Sequence, residues 1–136
     1  MERMIFPNLP VSDLAASTNF YLGLGFEKND LFSDERATAV VISDAIVVML
    51  LEKSFFQSFL ADGDAVHTDA SSKAVINGIS CGSRAEVDAL LAKVEPGGGA
   101  IYSPARDMMP GMYSGSCTDP DGHIWEFMWM DPASAQ

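Results

Sequence analysis

Two similar series of hydrophobic and polar positions run along this chain, and each predicts one strand, one helix and three further strands. In the first series, an apolar stripe predicts a helix that begins after Ser12 or Asp13 and ends at Gly25. Runs rich in apolar and β-branched residues predict four strands, at residues 4–9, 26–32, 37–42 and 45–51. Only Ser43 and Asp44 separate the last two runs, so we expect these strands to form a hairpin.

The second series repeats the first. Ser83 and Glu86 form a capping box at the start of its helix, and glycines 97–99 follow that helix as a terminating turn rather than a nucleotide-binding loop. Its strands are expected at residues 74–81, 100–103, 112–118 and 124–130. The repeat predicts an α+β fold of two βαβββ modules, at about 4–60 and 74–132.

The segments between the modules differ in character. Residues 53–60 predict a short helix that packs on the domain or on a partner chain. It carries four apolar side chains at helical spacing: Phe55, Phe56, Phe59 and Leu60. Residues 61–73 are polar and without period, so we interpret them as a linker or mobile loop. At 136 residues, the chain is expected to form a single domain, 1–136, made of the two modules.

The last strand has the most informative pattern in the chain. It follows the turn signal Asp-Pro-Asp-Gly at 119–122, and alternation along a strand places Trp125, Phe127 and Trp129 on one face. That aromatic face should pack on a helix. Glu126 then lies on the opposite face, where it is either a solvated carboxylate or an acid that faces a ligand in a cleft.

Charge and cysteine content narrow the classes of function. The formal net charge of −11 argues against a nucleic-acid partner. It is compatible with a cationic partner, but many proteins are acidic for solubility alone. No apolar run approaches membrane-spanning length, and no signal-like segment is present, so we expect a cytoplasmic protein without membrane contact. The two cysteines, Cys81 and Cys117, lie in strand-like runs and are interpreted as buried free thiols.

Three stretches resemble one known family. They are Pro-Asn-Leu-Pro-Val-Ser-Asp-Leu at 7–14 with Phe-Tyr-Leu-Gly-Leu-Gly-Phe at 20–26, the hairpin that ends at Leu51, and the turn at 119–122 followed by Glu126. Together they are similar to the vicinal oxygen chelate superfamily, which includes glyoxalase I, bleomycin resistance proteins and extradiol dioxygenases. The resemblance implies two βαβββ modules that form an incomplete barrel around a ligand cleft, and it implies a homodimer.

Many members of that family bind a divalent metal, and the resemblance allows this to be compared position by position. Glu126 matches the last ligand position, whereas the other three positions fall on Phe6, Met49 and Ile76, which offer no suitable donor. Asn77 would replace Ile76 if the register slipped by one residue. His123 is expected in the turn and His67 in the polar loop, away from this set. We therefore predict no metal and no other cofactor, with Zn, Ni, Mn or Fe as the alternative.

Two functions from different classes remain. In the first, the protein binds a small cationic or aromatic molecule without chemistry, as bleomycin resistance proteins do. In the second, it is a glyoxalase-like lyase or isomerase, or a dioxygenase, with Glu126 as a metal ligand or general base. Arg106, expected on the adjacent loop, is the basic residue nearest in sequence to Glu126 and is its candidate partner. The predicted ligand-binding residues are Phe6, Asn8, Met49, Ile76, Met112, Tyr113 and Glu126.

Overall fold

A computed structural model describes residues 1–134 and divides the chain into two compact units, Met1–Asp69 and Ala70–Gln136. Each unit contains one four-stranded mixed sheet and at least one α-helix. Within the described residues, no helix is long and apolar enough to cross a membrane.

The first unit contains one βαβββ module followed by a short helix. Its elements are β1 (Asn8–Val11), α1 (Leu14–Gly23), β2 (Glu27–Asn29), β3 (Ala37–Ser43), β4 (Ile46–Glu52) and α2 (Lys53–Gln57). The strand order is β1-β4-β3-β2, in which β1 runs parallel to β4 and the other pairs are antiparallel.

The second unit repeats this topology. Its elements are β5 (Ile76–Ser80), α3 (Arg84–Ala92), β6 (Ala100–Met109), β7 (Met112–Thr118) and β8 (Ile124–Met130). The strand order β5-β8-β7-β6 is the same first-fourth-third-second order, again with one parallel pair. Neither sheet closes on itself. The predicted α+β fold of two βαβββ modules is therefore confirmed.

Pro7 explains why β1 begins later than the predicted strand at 4–9, whereas Pro10 does not interrupt β1. The backbone already follows β4 from Ile5, which donates to the carbonyl of Ala45 (2.8 Å) and accepts from Val47 (3.1 Å). Pro7 accepts from Met49 (2.8 Å) but has no N–H to donate, so the ladder is interrupted there. By alternation, the nitrogen of Pro10 points away from β4, and the edge strand therefore continues past it.

Two predicted elements of the first unit end early. The strand expected at 26–32 is only Glu27–Asn29, because the Asn29 side chain accepts from the backbone N–H of Leu31 (3.1 Å) and caps a 3₁₀ turn at Asp30–Phe32. The helix expected at 53–60 ends at Gln57, and the residues from there to Leu60 form hydrogen-bonded turns.

The strand predicted at 100–103 is much longer in the structure. It extends through Pro104 and several polar residues to Met109, and it pairs with β7 across three register irregularities. Bulges of this kind allow a strand to continue where its local pattern is broken. Pairing with β7, rather than the alternation of its own residues, maintains this outer strand.

Each helix covers one face of its own sheet. In the first unit, the hydroxyls of Thr18 on α1 and Thr38 on β3 are 2.8 Å apart, which assigns the Thr38 face to the helix. Phe20 and Tyr21 of α1 are fully buried there, with their rings edge to face at 5.0 Å. In the second unit, α3 packs on β7 and β8 through Val87, Leu90 and Leu91. Burial of these apolar faces supplies the main stabilisation of each unit.

Gly115 permits the close packing of the second unit. A Cβ at this position would lie 2.5 Å from Leu91 Cδ1 on α3 and 2.9 Å from the backbone of Ala105 on β6. Because the backbone of β6 cannot move away without breaking its pairing with β7, no larger residue fits here without rearrangement.

We predict that Gly115→Ala destabilises the protein by about 1–3 kcal/mol, the usual cost of overpacking a core. Gly23→Ala is the matched control, because a Cβ there meets no atom within 4 Å. It should be neutral or stabilising by up to about 1 kcal/mol, since Gly23 ends a helix. Urea unfolding followed by far-UV circular dichroism measures both. Equal midpoints for the two variants would contradict the packing described here.

Candidate functional site

The two faces of β8 have different environments. Phe127 lies opposite Gly115 in the β7–β8 ladder, and Gly115 faces Leu91 of α3, so the Phe127 face is the helix-packed one. Trp125 and Phe127 on this face are 3% and 1% exposed. The expectation that the aromatic face packs on a helix agrees with this arrangement.

Glu126 lies on the opposite face of the sheet. Its neighbours in register are Gly78 on β5 and Ser116 on β7, and its side chain is half-buried. Gly78 has no side chain, and the Met128 methyl occupies the space beside it, since a Cβ at Gly78 would lie 3.2 Å from that methyl. The carboxylate is thus held at the centre of a four-stranded sheet, with a missing side chain on one side and a hydroxyl on the other.

A small cavity of about 130 Å³ opens beside Glu126. Its walls combine aliphatic, thioether, phenol and hydroxyl groups. The lining residues are Ile76, Tyr102, Ser103, Met108, Ser114, Gly115, Ser116, Ile124 and Glu126. Of these described residues, Glu126 is the one carboxylate, and none is Lys, Arg or His. The structure therefore brings Glu126 together with one other predicted ligand residue, Ile76.

Arg106, the expected partner of Glu126, lies in β6 rather than in a loop. It is opposite Ser114 in register, and Ser114 and Ser116 share a face by alternation, so Arg106 is on the Glu126 side of the sheet. Its Nε donates to the Met108 sulfur at 3.3 Å. The guanidinium thus contacts a residue that lines the cavity.

Tyr113, one of the predicted ligand-binding residues, does not share the Glu126 face, because it lies opposite Trp129 in the β7–β8 register. Its hydroxyl donates to Asp88 Oδ1 of α3 at 2.6 Å, and the Arg84 guanidinium stacks over its ring at 4.7 Å. The hydrogen bond to Asp88 raises the pKa of the Tyr113 phenol above its ordinary value. Met112 is on the Glu126 face by alternation, nearer the β6–β7 turn.

The predicted residues of the first unit lie on the sheet face opposite α1. Asn8 and Met49 are neighbours in the β1–β4 register, and Asn8 Nδ2 donates to the Phe6 carbonyl at 2.8 Å. Phe6 is 51% exposed. The expected grouping of Phe6 and Met49 with Glu126 joins residues of the two units, and it stays a prediction.

A second cavity, of about 400 Å³, lies within the first unit. Its lining is almost entirely apolar and includes the short helix predicted from the phenylalanine cluster. The lining residues are Asn8, Leu51, Phe56, Phe59 and Leu60. Phe55 instead contacts Arg36, whose guanidinium lies 4.1 Å from the ring centroid.

The two histidines lie in the predicted turn and in the predicted polar loop. His123 closes the turn before β8. Its backbone N–H donates to Asp119 Oδ1 at 2.8 Å, and its backbone carbonyl accepts from the Asp119 backbone N–H at 2.9 Å. His67 is in the exposed loop, with Nε2 3.0 Å from the Asp69 carbonyl.

The cysteines are free thiols, Cys117 buried and Cys81 half-buried. Burial, reinforced by the negative charge of Asp119, raises the pKa of Cys117 to about 12. Burial, with a smaller contribution from Glu86, raises the pKa of Cys81 to about 11. Both thiols are therefore protonated at neutral pH, and neither is prepared as a nucleophile.

Several cavity residues escaped prediction from sequence. Tyr102 and Ser103 lie where the predicted strand ended, and Met108 lies beyond it, so their common face could not be assigned. Ser114 and Ser116 had a detectable signal: they alternate with Gly115 within a predicted strand, and small polar residues in register with a carboxylate suggest a site rather than a core.

A family model described as the Glyoxalase/Bleomycin resistance protein/Dioxygenase superfamily matches residues 4–127. The chain therefore belongs to this superfamily, as the resemblance indicated. A search among curated proteins gives no match.

Solved structures show the same fold. A hypothetical protein from S. aureus is 29% identical, with a TM-score of 0.78 over 95% of this chain and 94% of that one. A glyoxalase-related enzyme from Fulvimarina pelagi is 25% identical, with a TM-score of 0.79 over 95% of this chain and 88% of that enzyme's chain. Lactoylglutathione lyase from Agrobacterium tumefaciens, at 20% identity and a TM-score of 0.67 over 95% and 94%, shares the fold alone.

The residues beside Glu126 do not fit the metal sites known in the superfamily. Its partners in register are Gly78 and Ser116, and the nearby strand residue Ile76 is aliphatic. Asn77 is on the other face, where Nδ2 is 3.5 Å from the Ile124 carbonyl, so a register slip does not supply a donor. Among residues 1–134, no group of three or more His, Cys, Asp or Glu is placed to hold an ion. We derive no metal chemistry from this site.

We predict that protein purified without chelators carries well under one divalent ion per chain, because a lone carboxylate among hydroxyl and apolar groups is a weak site for a divalent cation. Elemental analysis by mass spectrometry tests this. A stoichiometric Zn, Ni, Mn or Fe signal that disappears in Glu126→Gln would show that Glu126 is a metal ligand after all.

Proposed function

We propose that this protein binds a small, partly apolar cation at the Glu126 cavity, without metal and without chemical conversion. The observation that carries this proposal is the composition of the cavity. One carboxylate is surrounded by aliphatic, thioether and phenol groups that supply contact area, and by serine hydroxyls that supply hydrogen bonds. Such a combination of apolar walls and a few polar groups is typical of small-molecule sites.

The volume of the cavity limits what enters it. Sites that enclose drug-sized ligands are usually about 300–1,000 Å³. A cavity of about 130 Å³ holds a cationic head group or one ring, so the rest of a larger ligand would lie on the open sheet face. That face carries Ile76, which is 62% exposed, and Tyr102, which is 58% exposed, and both offer area for an aromatic or aliphatic body.

The charge of the whole chain supports a cationic ligand. A net charge of −11 raises the local concentration of cations around the molecule and disfavours anionic ligands. Glu126 then supplies the specific contact, because a carboxylate at the wall of an apolar cavity interacts with a cation in a medium of lower dielectric than water.

The alternative function is a glyoxalase-like enzyme in which Glu126 is a general base. Similarity to the glyoxalase-related enzyme from Fulvimarina pelagi favours it. A general base would need a substrate proton within hydrogen-bond reach of the carboxylate, and the same cavity could supply this position. Turnover of the bound molecule, measured on the same samples as binding, separates the two functions.

We predict that Glu126→Gln weakens binding of an aromatic ammonium ligand by about 1–3 kcal/mol, the range for losing a charged hydrogen-bond partner. A thermal-shift screen of paired aromatic ammonium compounds and their neutral isosteres selects the ligand. Calorimetric titration then compares wild type with the variant. Folding should be little disturbed, because the substitution removes a half-buried charge without changing the shape of the side chain.

Glu95→Gln is the matched control for this experiment. It removes the same charge from an exposed position after α3 and should leave the affinity unchanged. If both variants lose the same affinity, the effect comes from net charge alone. Equal affinity in wild type and Glu126→Gln, or equal affinity for the cation and its neutral isostere, would refute the proposed site.

We also propose that the protein forms a homodimer, as the superfamily resemblance implies. The phenylalanine cluster, on α2 and the turns that follow it, is only partly covered within the first unit: Phe59 is 68% exposed although it lines the apolar cavity. An exposed ring beside an apolar cavity is typical of an interaction surface.

We predict twice the chain mass by light scattering at micromolar concentration. Phe59→Ser should shift the distribution toward the monomer, because it removes exposed apolar area at the expected interface. Leu31→Ser is the control, since Leu31 is a similarly exposed apolar residue, at 90%, outside the α2 cluster. A monomeric mass for wild type would contradict the dimer.

A further inference from the structure

Methionine is concentrated on one sheet face of the second unit. Three methionines occupy a single row across three adjacent strands: Met109 of β6 lies opposite Met112 of β7, and Met112 lies opposite Met130 of β8. Residues opposite each other in register project to the same face. The three thioethers of this row, Met109–Met112–Met130, therefore point to one side of the sheet. We refer to them as the thioether row.

The row is held at the tip of the β6–β7 hairpin. Pro110 and Gly111 form the two-residue turn, and Gly111 adopts φ +80°, which a type II turn requires at its second central position. The Gly111 carbonyl accepts from Asp131 N at 2.7 Å, so β8 remains attached to the hairpin at this end. The backbone that carries the three side chains is thus fixed on all three strands.

These side chains are not core residues. Met109 is 59% exposed and Met130 is 51% exposed, although a methionine that served only to fill space would be buried. Met108, displaced by the irregularity between Asp107 and Met109, lines the Glu126 cavity instead. The row is therefore separate from the cavity and accessible from outside the unit.

We propose that the thioether row binds a soft monovalent cation, Cu(I), through three methionine sulfurs. Thioethers are soft ligands that select Cu(I) over hard divalent ions. Neighbouring strands are about 4.8 Å apart, so the outer two of the three methionines start about 10 Å apart across the row. Rotation about χ1 and χ2 lets the sulfurs converge on one ion above Met112, and rotation about χ3 turns each methyl group aside. No hard or borderline donor is needed, which is consistent with the absence of a His, Cys, Asp or Glu metal cluster in residues 1–134.

Silver(I) is a redox-stable probe of the same chemistry. Protein labelled with ¹³C at the methionine methyl groups is titrated with silver nitrate in chloride-free buffer and followed by NMR. We expect the Met109, Met112 and Met130 methyl signals to shift together and to saturate at one ion per chain. Signals of Met4 and Met49 in the first unit should not move. Each signal is assigned from the corresponding Met→Leu variant, which conserves volume.

Met112→Leu is the decisive variant, because it removes the central sulfur. Loss of a hydrogen-bond partner to a metal ligand already costs about 10- to 100-fold in affinity, so loss of a ligand should cost at least about tenfold. Met4→Leu, at another exposed methionine, is the matched control and should bind as wild type does.

Cysteine is the main competitor for soft ions, so the titration is repeated in a variant with Cys81→Ser and Cys117→Ser. Both thiols are protonated at neutral pH because their pKa values are raised to about 11 and about 12. Retention of one bound ion and of the three methyl shifts supports the proposal. Loss of binding in the double variant, or shifts spread over all methionines in wild type, overturns it.

Discussion

The burial of the aromatic face of β8 against α3 is the constraint on which the second unit depends. Trp125 and Phe127 are 3% and 1% exposed, and burial of two large aromatic side chains is a major hydrophobic contribution. Since side chains alternate along a strand, this burial fixes the opposite direction for Glu126. The same packing requires Gly115, because α3 and β6 approach β7 closely at the point opposite Phe127. The orientation of the carboxylate is thus a consequence of the burial of the aromatic side chains against α3.

The two units share one topology, but the sheet faces opposite their helices carry different residues. In the first unit, the face opposite α1 carries Met49 and Asn8, and its cavity is apolar and partly enclosed by α2. In the second unit, the corresponding face carries a carboxylate, serine hydroxyls and exposed thioethers. The fold therefore supplies two equivalent sheet faces, while the residues on them determine what each can bind. This difference explains why membership of the superfamily does not by itself assign the chemistry of this chain.

Sequence reasoning succeeded where local pattern and tertiary packing agree. The pattern of β8, the capping box of α3 and the repeated module were all readable, because each is encoded within a few neighbouring residues. It failed for β6, whose outer half is maintained by hydrogen bonds to β7 across bulges rather than by its own alternation. It also listed the neighbours Met112 and Tyr113 together as ligand-binding residues, although adjacent strand residues point to opposite faces. Alternation along β7 separates its residues into two sets, but only the register with β8 shows which set meets α3.

The energetics of a single carboxylate determine how selective the Glu126 cavity can be. At 4 Å, two unit charges attract by about 1 kcal/mol in water and about 4 kcal/mol near a protein surface, so a half-buried Glu126 contributes a moderate amount to affinity. A millimolar dissociation constant already corresponds to a binding free energy of about −4 kcal/mol. Selectivity must therefore come from the cavity walls. Contact with Ile76 and Ile124 would make binding of an apolar group more favourable. A ligand that leaves the hydroxyls of Ser114 and Ser116 without hydrogen bonds would bind less favourably. A ligand of the proposed site would therefore be selected by the apolar and hydrogen-bonding groups next to its charge as well as by the charge itself.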